Sequence, residues 1–158
     1  MVLTIAPTQS CNFACTYCFE KWRQSGALSN RTEDAIINYI KHLKQEDGLE
    51  SVNLTWYGGE PLLQYKRVIS LARRIDELGL KINENLLITN GYFFTPEVVE
   101  KLVEAKISEI QITLDGFRET HDIRRPLING KGTFDTIIKN LDDYYNSRFR
   151  GAFAIAIR

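Results

Sequence analysis

Short apolar segments alternate along the chain with longer amphipathic ones. The apolar segments have the length of strands and occupy residues 2–7, 51–57, 85–89, 108–114 and 152–157. Between them, apolar residues recur every three or four positions, which predicts helices over residues 32–45, 61–78, 96–105 and 133–145. Strands that alternate with helices indicate βαβ units and an α/β fold with a parallel sheet, in which ligands gather at the carboxyl ends of the strands.

Residues at the ends of the amphipathic segments refine the helix boundaries. Thr32 has a side chain suited to cap the first helix. Pro61 is typical of a first helical position and Gly79 of the residue just beyond a helix end. These two residues therefore bracket the second predicted helix.

Composition and charge narrow the class of protein. The chain has 158 residues, of which 44% are apolar, and this is enough for one domain with a hydrophobic core. Lys and Arg number 20, as do Asp and Glu, so the balanced charge argues against a nucleic-acid partner. No apolar run reaches the roughly 18 residues that a membrane span needs, and the first residues lack a cleavable signal pattern. We therefore expect a cytoplasmic protein without a membrane partner.

The last apolar segment stops where the sequence stops. A buried strand in that position would leave one edge of the parallel sheet uncovered, and such edges are open to pairing. We expect residues 1–158 to be the N-terminal part of a longer core domain. A dimer through the exposed sheet edge is a further expectation.

All three cysteines lie in one loop after the first strand: Cys11, Cys15 and Cys18. A disulfide would leave one thiol over, and burial of small residues does not explain the clustering. A zinc site normally has four ligands, while His42 falls in a predicted helix and His121 lies far along the chain. A redox pair of Cys15 and Cys18 would leave Cys11 without a role. The zinc site and the redox pair stay open as interpretations. Three thiolates best fit a [4Fe–4S] cluster with one iron left for a ligand.

The sequence YGGEPLL, residues 57–63, follows the second predicted strand. Gly58 and Gly59 allow a close approach of the backbone that a Cβ would block, and Glu60 adds a carboxylate suited to an ammonium group. A plain strand-to-helix turn opened by Pro61 is the alternative interpretation. The position beside the cysteine loop favours a ligand-binding turn.

Further polar residues follow the third and fourth strands. In an extended strand Thr113 and Asp115 share one face, although Asp115 with Gly116 also has the composition of a turn. The pair Asn90 and Gly91 is typical of turns, and Asn90 is in addition a candidate for lining a cavity at the same end of the sheet.

The segment HDIRRP, residues 121–126, combines a histidine with two arginines. A single histidine here is more typical of loop packing than of catalysis. The guanidinium groups of Arg124 and Arg125 are suited to surface charge or to bidentate binding of a carboxylate.

The spacing Cys-x3-Cys-x2-Cys, with Tyr17 before the last cysteine, resembles the signature of the radical S-adenosylmethionine (SAM) superfamily. The resemblance implies that Cys11, Cys15 and Cys18 ligate a [4Fe–4S] cluster whose remaining iron is chelated by the amino and carboxylate groups of SAM. An electron from the cluster then cleaves the sulfonium, giving methionine and a 5′-deoxyadenosyl radical that abstracts a substrate hydrogen. An electron donor such as flavodoxin or ferredoxin is also implied.

The same resemblance assigns roles at the strand ends. Residues 58–60 would hold the methionine amino group, and Arg125 the methionine carboxylate. Thr113 would hold the ribose, and Tyr17 would pack beside the cluster and towards the adenine. The implied cofactor-binding residues are Tyr17, Phe19, Gly58, Gly59, Glu60, Thr113, Asp115 and Arg125. The implied substrate-binding residues are Glu20 and Asn90, and no catalytic acid or base is assigned.

The motifs CxYCF, YGGEPLL, TNG, TLDG, HDxxR and GKGTF follow one another along the chain. This series is similar to radical SAM enzymes that modify peptides or proteins, such as anaerobic sulfatase-maturating enzymes and maturases with a SPASM domain. Glu20 departs from the pattern of sulfatase-maturating enzymes, which tend to have an aromatic residue at this position, two residues after the last cysteine. The resemblance implies a partial (β/α)6 barrel, here about four β/α units and a fifth strand, and a peptide or protein substrate. A small-molecule radical enzyme and a non-catalytic partner-binding fragment are the alternatives.

Overall fold

A computed structural model describes residues 1–20 and 26–158. Five parallel strands form one sheet, in which spatial order follows chain order. The strands are β1 Val2–Ile5, β2 Ser51–Trp56, β3 Lys81–Thr89, β4 Glu109–Ile112 and β5 Ala154–Ile157. This confirms the predicted α/β fold of about four β/α units and a fifth strand. In the described part of the chain, no helix has the length and apolar character needed to cross a membrane.

The helices connect successive strands. They are α1 Asn30–Glu46, α2 Tyr65–Asp76, α3 Pro96–Glu104, α4 Arg118–Arg124 and α5 Phe134–Tyr145, with a 3₁₀ turn at Pro61–Gln64 before α2. Helix α4 was not predicted, because seven residues with a charged surface give no clear helical period. It carries the histidine and the first arginine of the HDIRRP segment, so its position bears on the site.

Several boundaries differ from those predicted. The capping prediction for Thr32 is wrong, because Ser29 caps α1 and its hydroxyl accepts a hydrogen bond from the Thr32 backbone N–H at 3.1 Å. The second predicted helix divides into the 3₁₀ turn and α2, and Gly79 lies in the turn beyond α2 with φ +68°. Strand β3 begins at Lys81, before the predicted residue 85, because polar residues in its first half hid the pattern.

The core lies on the face of the sheet that the helices cover. Alternate residues of the central strands point into it and are fully buried: Val52, Leu54, Trp56, Leu87, Ile110 and Ile112. Helices contribute Ile40, Ile75, Leu102 and Ile137 to the same cluster. The opposite face of the central strands is only half-buried. The final strand is less covered, and Ile157 is 49% exposed.

A buried asparagine connects the central strands below the site. The indole N–H of Trp56 in β2 donates to Asn85 Oδ1 in β3 at 2.8 Å. The Asn85 amide in turn donates to the Lys106 carbonyl at 3.0 Å, in the turn between α3 and β4. Asn85 is 1% exposed, so no solvent can replace these partners.

We predict that Asn85→Leu lowers the free energy of unfolding by about 3 kcal/mol, since it leaves two buried groups without partners. Asn83→Leu is the matched control, because Asn83 lies on the same strand and is exposed. Urea denaturation followed by tryptophan fluorescence measures both. Equal losses in the two variants would contradict the role given to Asn85.

Candidate cofactor site

A cavity of about 740 Å³ opens at the carboxyl ends of the strands. The loops after β1, β2, β3 and β4 all contribute to its wall, as parallel α/β sheets favour. Every predicted site residue except Asp115 lines it: Cys11, Cys15, Tyr17, Cys18, Phe19, Glu20, Gly58, Gly59, Glu60, Asn90, Thr113 and Arg125. The structure therefore brings together residues from five separate motifs.

The cysteine loop is paired with a distant segment of backbone, residues 124–128. The Ala14 N–H donates to the Pro126 carbonyl at 2.8 Å, and the Thr16 N–H to the Arg124 carbonyl at 2.9 Å. A third bond runs from the Ile128 N–H to the Asn12 carbonyl at 3.1 Å. These bonds form a short antiparallel ladder, so the protein itself holds the loop in shape. No local sequence pattern predicts pairing between segments 108 or more residues apart.

The three thiols are all free and partly buried. Burial raises the pKa of the Cys11 thiol to about 11; the Phe13 N–H opposes this shift, and Glu60 and the other two cysteines add to it. Burial also raises the pKa of Cys15, against the effect of the Arg125 guanidinium. The thiolate forms of Cys11 and Cys15 are therefore unfavourable in this cavity unless a positively charged group binds them.

The spacing of the thiols bears on the kind of group. Within residues 1–20 and 26–158, no three His, Cys, Asp or Glu side chains stand close enough to share one metal ion. A single zinc ion thus has no ready ligand set among these residues. A cluster assigns each thiolate to a different iron, and thiolates are its usual ligands. The donor set fits an iron–sulfur cluster.

The glycine pair is required by the cysteine loop. The Gly59 N–H donates to the Thr8 carbonyl at 3.1 Å, and the Glu60 N–H to the Ser10 carbonyl at 2.9 Å. A Cβ on Gly58 would overlap the Thr8 carbonyl oxygen, and one on Gly59 would overlap the Ser10 carbonyl oxygen. The close approach predicted for these glycines is thus an approach to the neighbouring loop, which it fixes against the end of β2.

Glu60 is a buried acceptor at the same strand end. Its carboxylate accepts hydrogen bonds from the Thr89 hydroxyl at 2.6 Å, the Asn90 N–H at 2.7 Å and the Leu62 N–H at 2.9 Å. Burial raises the pKa of Glu60, and these bonds oppose the shift. A carboxylate has about four acceptor positions, so about one remains for a ligand. Glu60 mainly joins the end of β2 to the end of β3.

Arg125 carries a buried donor without a partner. Its Nη1 donates to the Tyr17 hydroxyl at 2.6 Å, while its Nε has no hydrogen-bond partner among the described residues. The Arg125 side chain is 10% exposed and lines the cavity. A buried N–H that lacks an acceptor indicates a missing ligand group, and a carboxylate suits a guanidinium.

Asp115 lies outside the cavity wall. The predicted strand face shared by Thr113 and Asp115 does not form, because β4 ends at Ile112. The Asp115 carboxylate accepts from the Tyr17 hydroxyl at 3.0 Å and pairs with the Arg124 guanidinium at 2.8 Å. Arg124, for which no role was predicted, also lies over the Tyr17 ring at 5.0 Å. Asp115 therefore anchors the aromatic residue of the cysteine motif.

Asn90 has both of the roles considered for it from the sequence, in a turn and in the cavity wall. Its Oδ1 accepts from the Tyr92 N–H at 2.9 Å and closes the turn after β3. Its Nδ2 donates at 2.9 Å to the side chain of Asn12, a residue that the sequence did not single out. The side chain thus closes a turn, contacts the cysteine loop and lines the cavity.

The sequence profile of the radical SAM superfamily matches residues 5–157. Because that match covers nearly the whole chain, the chain belongs to the radical SAM superfamily. The parallel sheet and the cysteine loop at its carboxyl end agree with this membership.

Known relatives include enzymes of different kinds. The chain is 31% identical over 142 residues to a serine-type anaerobic sulfatase-maturating enzyme of Klebsiella aerogenes, a match that covers 84% of this chain and 34% of the relative. It is 32% identical over 145 residues to a GTP 3′,8-cyclase of Haemophilus influenzae, covering 89% of this chain and 40% of the relative. The chain thus spans between a third and two fifths of the length of these relatives.

A solved structure of native anSMEcpe with bound AdoMet and Cp18Cys peptide has the same fold. The TM-score is 0.77 at 25% identity, over 99% of this chain and 42% of that one. The five-stranded sheet therefore corresponds to part of a radical SAM barrel.

We predict that Gly59→Ala lowers the free energy of unfolding by about 3 kcal/mol, because the added methyl group displaces the cysteine loop. Chemical denaturation measures the loss, and faster alkylation of Cys11 should accompany it. Gly26→Ala is the control, since a Cβ at Gly26 meets no atom within 4 Å. A Gly59→Ala protein as stable as the control would show that the loop tolerates displacement.

Proposed function

We propose that residues 1–158 are the N-terminal part of the core domain of a radical SAM enzyme. The observation that carries the proposal is one cavity that combines three free thiols with the unpaired Nε of Arg125. The thiols supply ligands for a [4Fe–4S] cluster, and the guanidinium supplies a counter-charge for the carboxylate of SAM. When bound, the cluster and SAM would provide the radical that abstracts a substrate hydrogen.

The chain's own residues orient the cofactor. Arg125 binds the methionine carboxylate, and the remaining acceptor position of Glu60 takes the amino group, with the backbone of Gly58 and Gly59. Thr113 lines the cavity, and in this proposal it holds a ribose hydroxyl. Tyr17, held by Asp115, packs towards the adenine. The low dielectric of the cavity strengthens these polar contacts.

A peptide or protein is the proposed substrate. Two large apolar side chains on the cavity wall, Phe19 and Ile128, are 70% and 72% exposed, which suits contact with a polypeptide. Glu20 and Asn90 are the polar residues of the wall proposed to contact it. Similarity to a sulfatase-maturating enzyme and to a peptide-bound structure supports this class. A flavodoxin- or ferredoxin-like donor in the cytoplasm would supply the electron.

A small-molecule substrate is the second candidate. The 32% identity to a GTP 3′,8-cyclase over 89% of this chain supports it. Formation of 5′-deoxyadenosine with peptide pools, compared with nucleotide mixtures, separates the two candidates.

Anaerobic iron–sulfide reconstitution tests the proposed cluster. We expect about four irons per chain and an EPR signal of the reduced protein that changes on addition of SAM. A variant with Cys11→Ala, Cys15→Ala and Cys18→Ala should bind no cluster, because all its thiolate ligands are gone. Equal iron binding by this variant would refute the cluster site.

Arg125→Gln should weaken SAM binding by a factor of roughly 10 to 100, the effect of losing one charged hydrogen bond. Arg118→Gln removes the same charge from a side chain of α4 that is 59% exposed and pairs with Asp135, and it serves as the control. Isothermal titration calorimetry on the cluster-loaded protein measures both. Equal weakening in the two variants would assign the effect to net charge instead of to Arg125.

A further inference from the structure

Two motifs of the sequence meet behind Arg125, on the side away from the cavity. One is the pair His121 and Asp122 in α4, and the other is the pair Gly132 and Thr133 before α5. His121 is fully buried and Thr133 is 1% exposed. Neither lines the cavity, so the proposed function leaves both unexplained.

Hydrogen counting determines the state of His121. The Thr133 hydroxyl donates its one hydrogen to the Arg125 carbonyl at 2.8 Å. It must then accept from His121 Nε2, 3.0 Å away, so Nε2 carries the ring hydrogen. His121 Nδ1 is left to accept from the Asp115 N–H at 3.2 Å. Burial and then the Arg125 guanidinium lower the pKa of His121, so the ring is neutral at pH 7.

Asp122 holds the backbone of Thr133, the residue whose hydroxyl completes this chain of hydrogen bonds. Its Oδ1 accepts from the Thr133 N–H at 2.7 Å and from the Phe134 N–H at 2.9 Å, at the beginning of α5. A Cβ on Gly132 would overlap the Asp122 carboxylate. The two motifs therefore depend on each other, and Thr133 has little freedom to move.

The backbone of Arg125 is restrained on both sides. Its N–H donates to the His121 carbonyl at 2.7 Å, and its carbonyl accepts the Thr133 hydroxyl. The residue lies outside helical geometry with φ −131° and ψ 52°, and Pro126 restricts it further. This backbone position directs the guanidinium to the Tyr17 hydroxyl and the cavity.

We propose that His121 and Thr133 form a buried relay that positions Arg125 for recognition of the cofactor's carboxylate and, through the Asp115 N–H, holds the residue that anchors Tyr17. Both are positioning residues, because they contact only the backbone of the residues that face Tyr17. The proposal rests on the proposed role of Arg125 and extends it to two motifs without an assigned task. A relay of this kind affects carboxylate binding selectively, whereas loss of packing affects every ligand.

The test compares Thr133→Val with Thr133→Ser. Valine keeps the shape of threonine and removes the hydroxyl, while serine keeps the hydroxyl. The ligands are SAM and decarboxylated SAM, titrated by calorimetry into the cluster-loaded protein under anaerobic conditions. We expect Thr133→Val to weaken SAM binding roughly tenfold and to leave the decarboxylated analogue within about twofold. Thr133→Ser should resemble the wild type.

Three outcomes would overturn the relay in different ways. If Thr133→Val weakens both ligands equally, the residue only supports the fold. If the wild type itself does not prefer SAM to the decarboxylated analogue, the proposed role of Arg125 fails and the relay fails with it. If Thr133→Val binds both ligands as tightly as the wild type does, the relay is refuted while the role of Arg125 is left intact.

A measurement without substitutions covers the case in which Thr133→Val does not fold. Long-range ¹H–¹⁵N NMR of the cluster-free protein reports which ring nitrogen of His121 carries hydrogen. The relay requires the Nε2–H form at neutral pH. The Nδ1–H form would be incompatible with it.

Discussion

The cavity depends on the short antiparallel pairing between the cysteine loop and residues 124–128. Three backbone hydrogen bonds fix the loop on that side, and the glycine pair after β2 fixes its beginning. Arg125 lies within the paired segment, so the contact that shapes the thiol loop also brings in the guanidinium. The thiols and the Arg125 guanidinium are thereby brought into one cavity by the same backbone pairing. The proposed chemistry requires both kinds of group at the same place.

Hydrophobic periodicity was sufficient to predict the order and type of the main elements. It located all five strands of the described residues, because each contains a run of apolar residues, although polar residues hid the first half of β3. It failed where local alternatives compete: Ser29 and Thr32 are both good caps, and they lie one helical turn apart. It also missed α4, whose single fully buried residue, His121, gives no apolar stripe.

The sequence predicted which residues form the site better than it predicted the contacts between them. Residues that follow parallel strands converge on one edge, so Cys11, Gly59, Asn90 and Thr113 could be placed there from sequence alone. The partners of Glu60, the contact of Asp115 with Tyr17 and the involvement of Asn12 depend on pairings between distant segments. Such pairings leave no periodic trace, and only the folded chain reveals them.

The distance along the chain between the two halves of the pairing has a consequence for biosynthesis. Thr16 and Arg124 are 108 residues apart. At about 5–20 residues per second, the cysteines leave the ribosome roughly 5 to 20 seconds before the segment that shapes their loop. During that interval the nascent thiols are exposed to oxidants and to stray metal ions. Faithful loading of a cluster would therefore have to follow synthesis of β4 and α4.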